Sequence, residues 1–444
     1  MPSSTLLDAE FLASQHGGDV DPLAMTPSPG GEWTSLAGPC HFKLSPSYWE
    51  NALLRDVAIR TVFMRGGTSR ALFFHRNDLP VATGPDYEHW KPIFLGAMGS
   101  PDPNGRQLNG MGGGISSLSK VAVIGPPTRT DADIDYTFGQ VGISDATVGF
   151  RGNCGNISSA VGPFAVDEGI VAASGDRARV RIHNTNTGKI IIAEFSLIDG
   201  KAAVHGDFAL DGVAGLGDAI RLAFQAPGGA TTGKLLPSGR VLDMIAVEGL
   251  GEVEVSLVDA ANPTVFVQAD AFGLSAREAP DALSRDTVRL DQLENLRIGA
   301  AVAMGLVREP QEARTTLRNL PLVALVASPV DTVSLKGDTI SAASVDIVTR
   351  MISSGQPHKA TPLTGAMCLA VAARIPGSVV AQCTRATTGD IRIGHPSGVL
   401  PVAARVHNGG AGPHQIVAEE AVVYRTARRL MEGMVYVPGE AISV

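Results

Sequence analysis

The sequence predicts an α+β protein of two similar domains, each a curved sheet wrapped round one hydrophobic helix, with the helix starts facing a shared cleft. Three observations lead there. At 444 residues the chain is longer than one ordinary core accommodates. Strand-like runs punctuated by its 51 glycines and 28 prolines dominate both halves. In each half a glycine also leads within two or three residues to a cysteine beside an apolar helical run: Gly152-Asn153-Cys154 in the first, Gly365-Ala366-Met367-Cys368 in the second.

Composition narrows the function classes. Hydrophobic residues make up 44% and charged residues 18%, a globular balance. The net charge of -8 argues against nucleic acid as a partner, and 5% aromatic residues argue against base-stacking platforms. An acidic substrate would need a locally positive pocket. The four cysteines, Cys40, Cys154, Cys368 and Cys383, form no C-x-x-C pair, which points to free thiols in a reducing, cytoplasmic compartment. Ten histidines include no clustered ligand set, so no metal is expected. No apolar stretch reaches membrane-spanning length, so no membrane partner is expected either.

Residues 1–52 are rich in Ser, Pro and Gly without periodicity and read as a loosely ordered extension, packed on the surface or on another subunit, which leaves a homodimer open. The first domain is expected over 53–228 and the second over 229–444, with the boundary at Ala226-Pro227-Gly228-Gly229-Ala230 and the last strands free to return to the first domain. Ile59–Met64 and Ala71–Phe74 read as strands of a hairpin turning at Gly66-Gly67-Thr68-Ser69, whose N–H groups and hydroxyls suit a carboxylate. Tyr87–Met98 reads as helix. The glycine-rich loop Asn109–Ser119 then ends in Lys120, ahead of a strand at Val121–Ile124. Its Lys is not preceded by Gly at a helix start, which excludes a P-loop, and no strand leads into the glycines as a dinucleotide site requires.

After Asn156, apolar residues at 157, 160, 161 and 164 predict a helix with one buried face and Cys154 at its entrance. Unpaired N–H groups at a helix start favour a thiolate or a bound anion, although a lone cysteine in such a place also fits a small buried residue. Strands follow at Ala178–His183, Ile190–Ile198, Glu252–Asp259 and Thr264–Val267, and a helix over Val288–Met304. Leu322–Ala327 reads as a strand, Ser344–Ser353 as a helix or strand-helix segment, and Pro362–Cys368 as the start of a second apolar helix. Ile391–Gly394 then enters His395-Pro396-Ser397-Gly398 ahead of closing strands.

Four motifs taken together, Met64-Arg65-Gly66-Gly67-Thr68-Ser69-Arg70, Asn109–Lys120, Gly152–Asn156 and Gly394–Gly398, resemble the PrpF-type isomerases. That group includes methylaconitate cis-trans isomerase, methylitaconate Δ-isomerase, aconitate isomerase and oxalomesaconate tautomerase. The resemblance runs from about Val57 to the C-terminus. It implies the diaminopimelate-epimerase-like fold of two barrel-like domains, each around a central helix. It also implies an acid/base pair at Lys120 and Cys154 and chemistry that needs no cofactor. Arg65, Gly66, Gly67, Thr68 and Ser69 of the first loop, Met111, Gly112, Ser116 and Ser117 of the second, and Asn153, Gly155 and Asn156 beside the thiol are the expected substrate contacts, with Ser397 and Gly398 from the last loop. His395 fits a ligand contact or a turn residue equally, as does Asn262 before Pro263. Arg70, Gly114–Leu118 and Arg151, the last at a position commonly small, depart from the residues more usual in the family, which leaves the substrate's identity open.

The expected reaction moves a double bond, or exchanges cis for trans, in a small unsaturated di- or tricarboxylate by allylic proton transfer. Cys154 is the expected base. Lys120 is the acid or the charge that stabilises the dienolate, held protonated by a thiolate and a polyanionic substrate. A keto-enol tautomerase of an oxalomesaconate-like acid and a non-catalytic carboxylate-binding protein are the alternatives. An amino-acid epimerase would want a second reactive thiol, and Cys368, in the mirror place of Cys154 but followed by Leu369, fits the core better.

Overall fold

Val57–Gly66 (β1) and Ser69–His75 (β2) pair antiparallel with Gly66 opposite Ser69, so the predicted hairpin turns on Gly67 and Thr68 alone. Gly67 has a φ of 52°, a left-handed conformation that glycine adopts without cost. The computed structural model describes residues 56–81, 87–150, 152–409 and 415–439. The expected extension over 1–52, with Cys40, lies outside these.

The helix Lys91–Met98 (α1) follows the hairpin, and the chain then continues into Lys120–Gly125 (β3) and Ile134–Val141 (β4). Gly155–Asp167 (α2) leads to Arg177–Asn184 (β5), Lys189–Ile198 (β6) and Ile220–Gln225 (β7). The second half holds Asp243–Val247 (β8), Gly251–Ala260 (β9), Asn262–Gln268 (β10), Thr287–Ala303 (α3), Leu322–Ala327 (β11) and Ile347–Ser353 (β12). Leu363–Ala372 (α4), Ile391–His395 (β13), Gly398–Asn408 (β14), Ile416–Arg425 (β15) and Ala427–Val437 (β16) complete it.

These strands form one ladder in the order β16-β1-β2-β3-β4-β5-β6-β7-β15-β14-β13-β12-β11-β10-β9-β8. The protein is therefore mixed α+β with a large sheet. Helix α2 packs on β1, β2, β3, β5, β6, β7 and β16, and α4 on β9, β10, β14 and β15. Every residue from Ile157 to Val166 is buried, as is every residue from Gly365 to Ala372. The sequence pattern marks one face of α2, but Ser158, Ser159 and Gly162 are small enough for strands to close over the other faces as well. The longer α3 lies outside this pair and covers β8 and β11.

Two expectations need correction. Ser344–Ser353 contains no α-helix; after a short 3₁₀ turn it is the strand β12, in keeping with its run of β-branched residues Ile347, Val348 and Thr349. Cys368 is not the mirror of Cys154: Pro362 caps α4, and Cys368 sits inside the helix with no exposure, its thiol donating to the Val258 carbonyl at 3.4 Å. Burial pushes that thiol up to about 12.

The far end of α2 is held by charge. Glu168 accepts from Arg60 at 2.7 Å, His75 at 2.9 Å and Arg429 at 2.7 Å, side chains from β1, β2 and β16. Burial alone would raise this carboxyl, but His75, Arg429 and Arg60 outweigh it and hold it at about 2, against an ordinary value of 4.5. The folded value lies below the unfolded one. The stability it contributes is therefore present in full above pH 4.5 and is lost as pH falls toward 2. Glu168→Gln is expected to lose on the order of 3 kcal/mol in urea unfolding at pH 7. The variant should also show a shallower loss of stability across the pH 4.5 to 2 window than the parent protein.

Candidate active site

Cys154 is the N-cap of α2, half-buried and in extended backbone, so the helix proper begins at Gly155. Its carbonyl accepts from the Ser158 N–H at 2.9 Å and the Ser158 hydroxyl at 3.0 Å, and that hydroxyl also reaches Asn153 Oδ1 at 3.1 Å. A side chain at Gly155 would stand 2.3 Å from Leu363 Cδ2, so the starts of the two buried helices meet here. Asn262 joins the same place, donating weakly to Thr364 Oγ1 at 3.4 Å.

The hairpin turn lies on the first residues of α2. A Cβ on Gly66 would fall 2.6 Å from the Asn156 carbonyl, and one on Gly67 would fall 2.3 Å from Asn156 Oδ1. Asn156 Nδ2 donates to Thr68 Oγ1 at 3.2 Å, while its Oδ1 accepts from Arg425 Nε at 3.1 Å. Ser69 is buried. Arg65 Nη1 donates to the Gly67 carbonyl at 3.0 Å and to the carbonyl and hydroxyl oxygens of Thr426 at 2.9 Å each, fastening the turn to the junction of β15 and β16.

Lys120 opens β3 and is buried. It stands opposite Gln140 on β4, and its ammonium donates a short hydrogen bond to Gln140 Oε1. The Gln140 amide in turn donates to the carbonyls of Ser119 at 2.8 Å and Ser116 at 3.1 Å, so the glutamine ties the lysine to the glycine-rich loop. Burial lowers the Lys120 ammonium from its ordinary value, and the nearby Cys154 thiol acts in the opposite direction. The two groups thus lie within electrostatic reach of each other. The loop is anchored by buried Gln107, which accepts from the Gly114 N–H at 3.0 Å and donates to Ser119 Oγ at 2.7 Å. Met111 and Gly112 give their N–H groups to Ala97 and Met98 at the end of α1. Ser116 and Ser117 lie in a single 3₁₀ turn before Lys120.

His395 is buried, and its Nδ1 accepts from the Ser397 N–H at 3.2 Å, which leaves the proton on Nε2, 3.9 Å from Asp211 Oδ2. Burial, with Arg350 and Arg425 nearby, pushes this imidazole down to about 4, so it is neutral at pH 7. The Ser397 hydroxyl is engaged by the Lys359 carbonyl at 2.5 Å. A Cβ at Gly398 would meet Asp211 Oδ2 at 2.4 Å.

Cys154, Lys120, Asn153, Asn156, Gly66, Gly67 and Thr68 are thus brought together. His395 and Gly398 approach the same surroundings through Arg425 and Asp211. Met111 and Gly112 are instead bound to α1. Sequence reasoning missed three residues: Gln140, Tyr136 and Arg425. Tyr136 is fully buried with its phenol pushed well up, first by burial and then by the Cys154 thiol. Arg425 is buried at the end of β15, and burial pulls its guanidinium down to about 10, opposed by Cys154. Among the described residues, no group of three or more His, Cys, Asp or Glu is placed to hold a metal ion. No described helix is long and apolar enough to cross a membrane.

Two measurements check this geometry. In a Cys40→Ser background, iodoacetamide at neutral pH should add one carbamidomethyl group to the folded protein, at Cys154. Cys368 and Cys383 are buried, with thiols pushed up to about 12 and about 11. An equally fast second adduct at Cys368 would contradict the placement. Gly66→Ala, which sets a methyl against the Asn156 backbone, is expected to cost about 1–3 kcal/mol in stability and to depress turnover with it, read by thermal melting and rate assay.

Comparison with known proteins bears on this site as a whole. The family model described as PrpF protein matches residues 56–438. The chain is 44% identical over 386 residues to 3-methylitaconate isomerase of Eubacterium barkeri, an alignment covering 86% of this chain and 98% of that protein. It is 37% identical to 2-methyl-aconitate isomerase of Cupriavidus necator, covering 87% of this chain and 98% of that protein. It is 36% identical to 4-oxalomesaconate tautomerase of Pseudomonas putida, covering 85% and 95%. The crystal structure of methylitaconate-delta-isomerase superimposes with a TM-score of 0.82 at 42% identity, over 88% of this chain and 98% of that one. With the match spanning the hairpin, the glycine-rich loop, the thiol-capped helix and the closing strands, the chain belongs to the PrpF family.

Proposed function

We propose that this PrpF-family isomerase shifts a double bond, or exchanges cis for trans, in a small unsaturated di- or tricarboxylate of the methylitaconate or 2-methylaconitate type, by allylic proton transfer. The observation that carries the reading is the pairing of a half-buried thiol at the start of α2 with a buried lysine that it influences electrostatically. The architecture that goes with it is two barrel-like halves, 53–228 around α2 and 229–444 around α4, with the last strands returning to the first half. The pairing of β16 with β1 and of β15 with β7 supports that division.

In the proposed mechanism the Cys154 thiolate takes a proton from the carbon allylic to the conjugated carboxylate. The C–H bond breaks, an S–H bond forms, and the electron pair moves into the extended system as a dienolate. The charge gathers on carboxylate oxygens, where the Lys120 ammonium and the free N–H groups at the start of α2 oppose it. Return of the proton to the far end of the dienolate moves the double bond, and rotation before its return exchanges cis for trans. No electron is gained or lost overall. The 36% identity to an oxalomesaconate tautomerase favours one further reading, a keto-enol shift run by the same two groups.

Proton NMR in heavy water tests this with methylitaconate, 2-methylaconitate, cis- and trans-aconitate and oxalomesaconate. Deuterium is expected at the allylic carbon of the true substrate, with Cys154→Ala and Lys120→Ala each slowing turnover by about 10²–10⁴-fold. Full-rate turnover by Cys154→Ala would overturn the thiol assignment. If the intact protein exchanges no proton in any of these acids, the reading falls.

A further inference from the structure

We infer that Arg425 anchors one substrate carboxylate beside the Cys154 thiol, and that Asn156 sets the plane of its guanidinium. The inference deepens the isomerase reading and rests on it.

Three large buried arginine environments can be compared. Arg297 is neutralised by Glu294 at 2.7 Å. Among the described residues Arg350 has no carboxylate within ion-pair range, but its three nitrogens are engaged by the Glu278 carbonyl at 2.7 Å, the Thr349 carbonyl at 2.9 Å and Thr332 Oγ1 at 3.1 Å. Arg425, only 6% exposed, differs from both. Among the described residues no carboxylate pairs with it. Nε is held by Asn156 Oδ1 at 3.1 Å and Nη1 by the Tyr424 carbonyl at 2.8 Å, while among the described residues Nη2 has no hydrogen-bond partner. A buried cation left with an open donor edge is costly unless an anion completes it.

The open edge belongs to the right place. Asn156 is the second residue of α2, and among the described residues the N–H groups of Gly155, Asn156 and Ile157 make no hydrogen bonds to protein acceptors. The guanidinium therefore stands over a thirteen-residue helix whose free N–H groups already favour an anion. It lies near enough to both Cys154 and His395 to interact with each electrostatically. Lys120 is another buried cation that Cys154 influences electrostatically, and among the described residues no carboxylate pairs with it either. Two buried cations without a carboxylate partner among the described residues suit an anionic substrate, with the planar fork of Arg425 fitted to a carboxylate held by two parallel hydrogen bonds.

Two variants test this in the full chain. Arg425→Lys keeps the charge and loses the fork; KM for the dicarboxylate substrate should rise by about 10–100-fold with a much smaller change in kcat. Asn156→Asp places a carboxylate on the guanidinium in the substrate's stead, and an acidic residue in the first turn of a helix favours folding. Its Tm should equal or exceed that of the parent protein while KM rises by about tenfold or more, a combination that a purely structural role would not produce. Inhibition by methylsuccinate against butyrate supplies a third readout: the parent should prefer the dicarboxylate and both variants should lose that preference. An unchanged KM and an unchanged preference in Asn156→Asp would overturn the inference, even where Arg425→Lys fails to fold. Should the intact protein turn over none of the unsaturated acids, the isomerase reading fails separately. Calorimetric binding of methylsuccinate to parent and Asn156→Asp then still decides the role of Arg425.

Discussion

The site depends on how closely the β1–β2 turn is allowed to approach the start of α2. With glycine at 66 and 67, the turn rests directly on Asn156, Gly66 against its backbone and Gly67 against its side chain. That contact brings Thr68 within reach of Asn156 Nδ2 and leaves Asn156 Oδ1 for Arg425. Arg65, one residue earlier, fastens the same turn to Thr426. A single close approach thus ties together a hairpin from the beginning of the chain, a helix from its middle and a strand from its end. The thiol occupies the cap of that helix and inherits its rigidity.

The electrostatics follow from burial. In a chain of net charge -8, an anionic substrate is accommodated only where positive charge is concentrated locally. In the proposed reading Lys120 and Arg425, far apart in sequence, supply it, and both are buried, which strengthens their action on a nearby charge. His395, neutral at pH 7, can donate from Nε2 without adding to that charge. At the other end of α2 the logic inverts: Glu168 is the buried anion, and three cationic or protonatable side chains surround it. Among the described residues the helix therefore carries unpartnered N–H donors at its start and a compensated carboxylate at its end.

Much of this was legible in the sequence wherever the signal is local. The hairpin, the helix over residues 287–303, the strand at Leu322–Ala327 and the cap at Cys154 all rest on short patterns of turn residues and periodicity. What escaped depends on register or on distant packing. Gln140 matters because antiparallel pairing sets it opposite Lys120, and nothing in Gly139-Gln140-Val141 indicates that. Arg425 reads as an ordinary polar residue closing an apolar strand; its importance appears only when Asn156, 269 residues away, meets it. The core reading of Cys368 agrees with its burial, but its placement at a helix start differs for the same reason. A glycine shortly before a cysteine looked alike in both halves, but Pro362 starts the second helix early enough to carry that thiol into the interior.

β15 and β16 are separated by the single residue Thr426, yet β15 pairs with β7 and β16 pairs with β1, with Val57 opposite Val437. The wall around the thiol-bearing helix is therefore completed by strands far from it in sequence. Without residues 416–437, α2 has its sequence neighbours but lacks the strand that pairs beside β1 and packs on it, and its apolar faces stay partly uncovered. Contacts of such long sequence separation form late and slowly, because most of the chain must be ordered to bring the two ends together. In the proposed reading, competence of the thiol is thereby coupled to the docking of these strands: a chain lacking residues 416–437 carries Cys154 and Lys120 but neither Arg425 nor the strand that packs on α2.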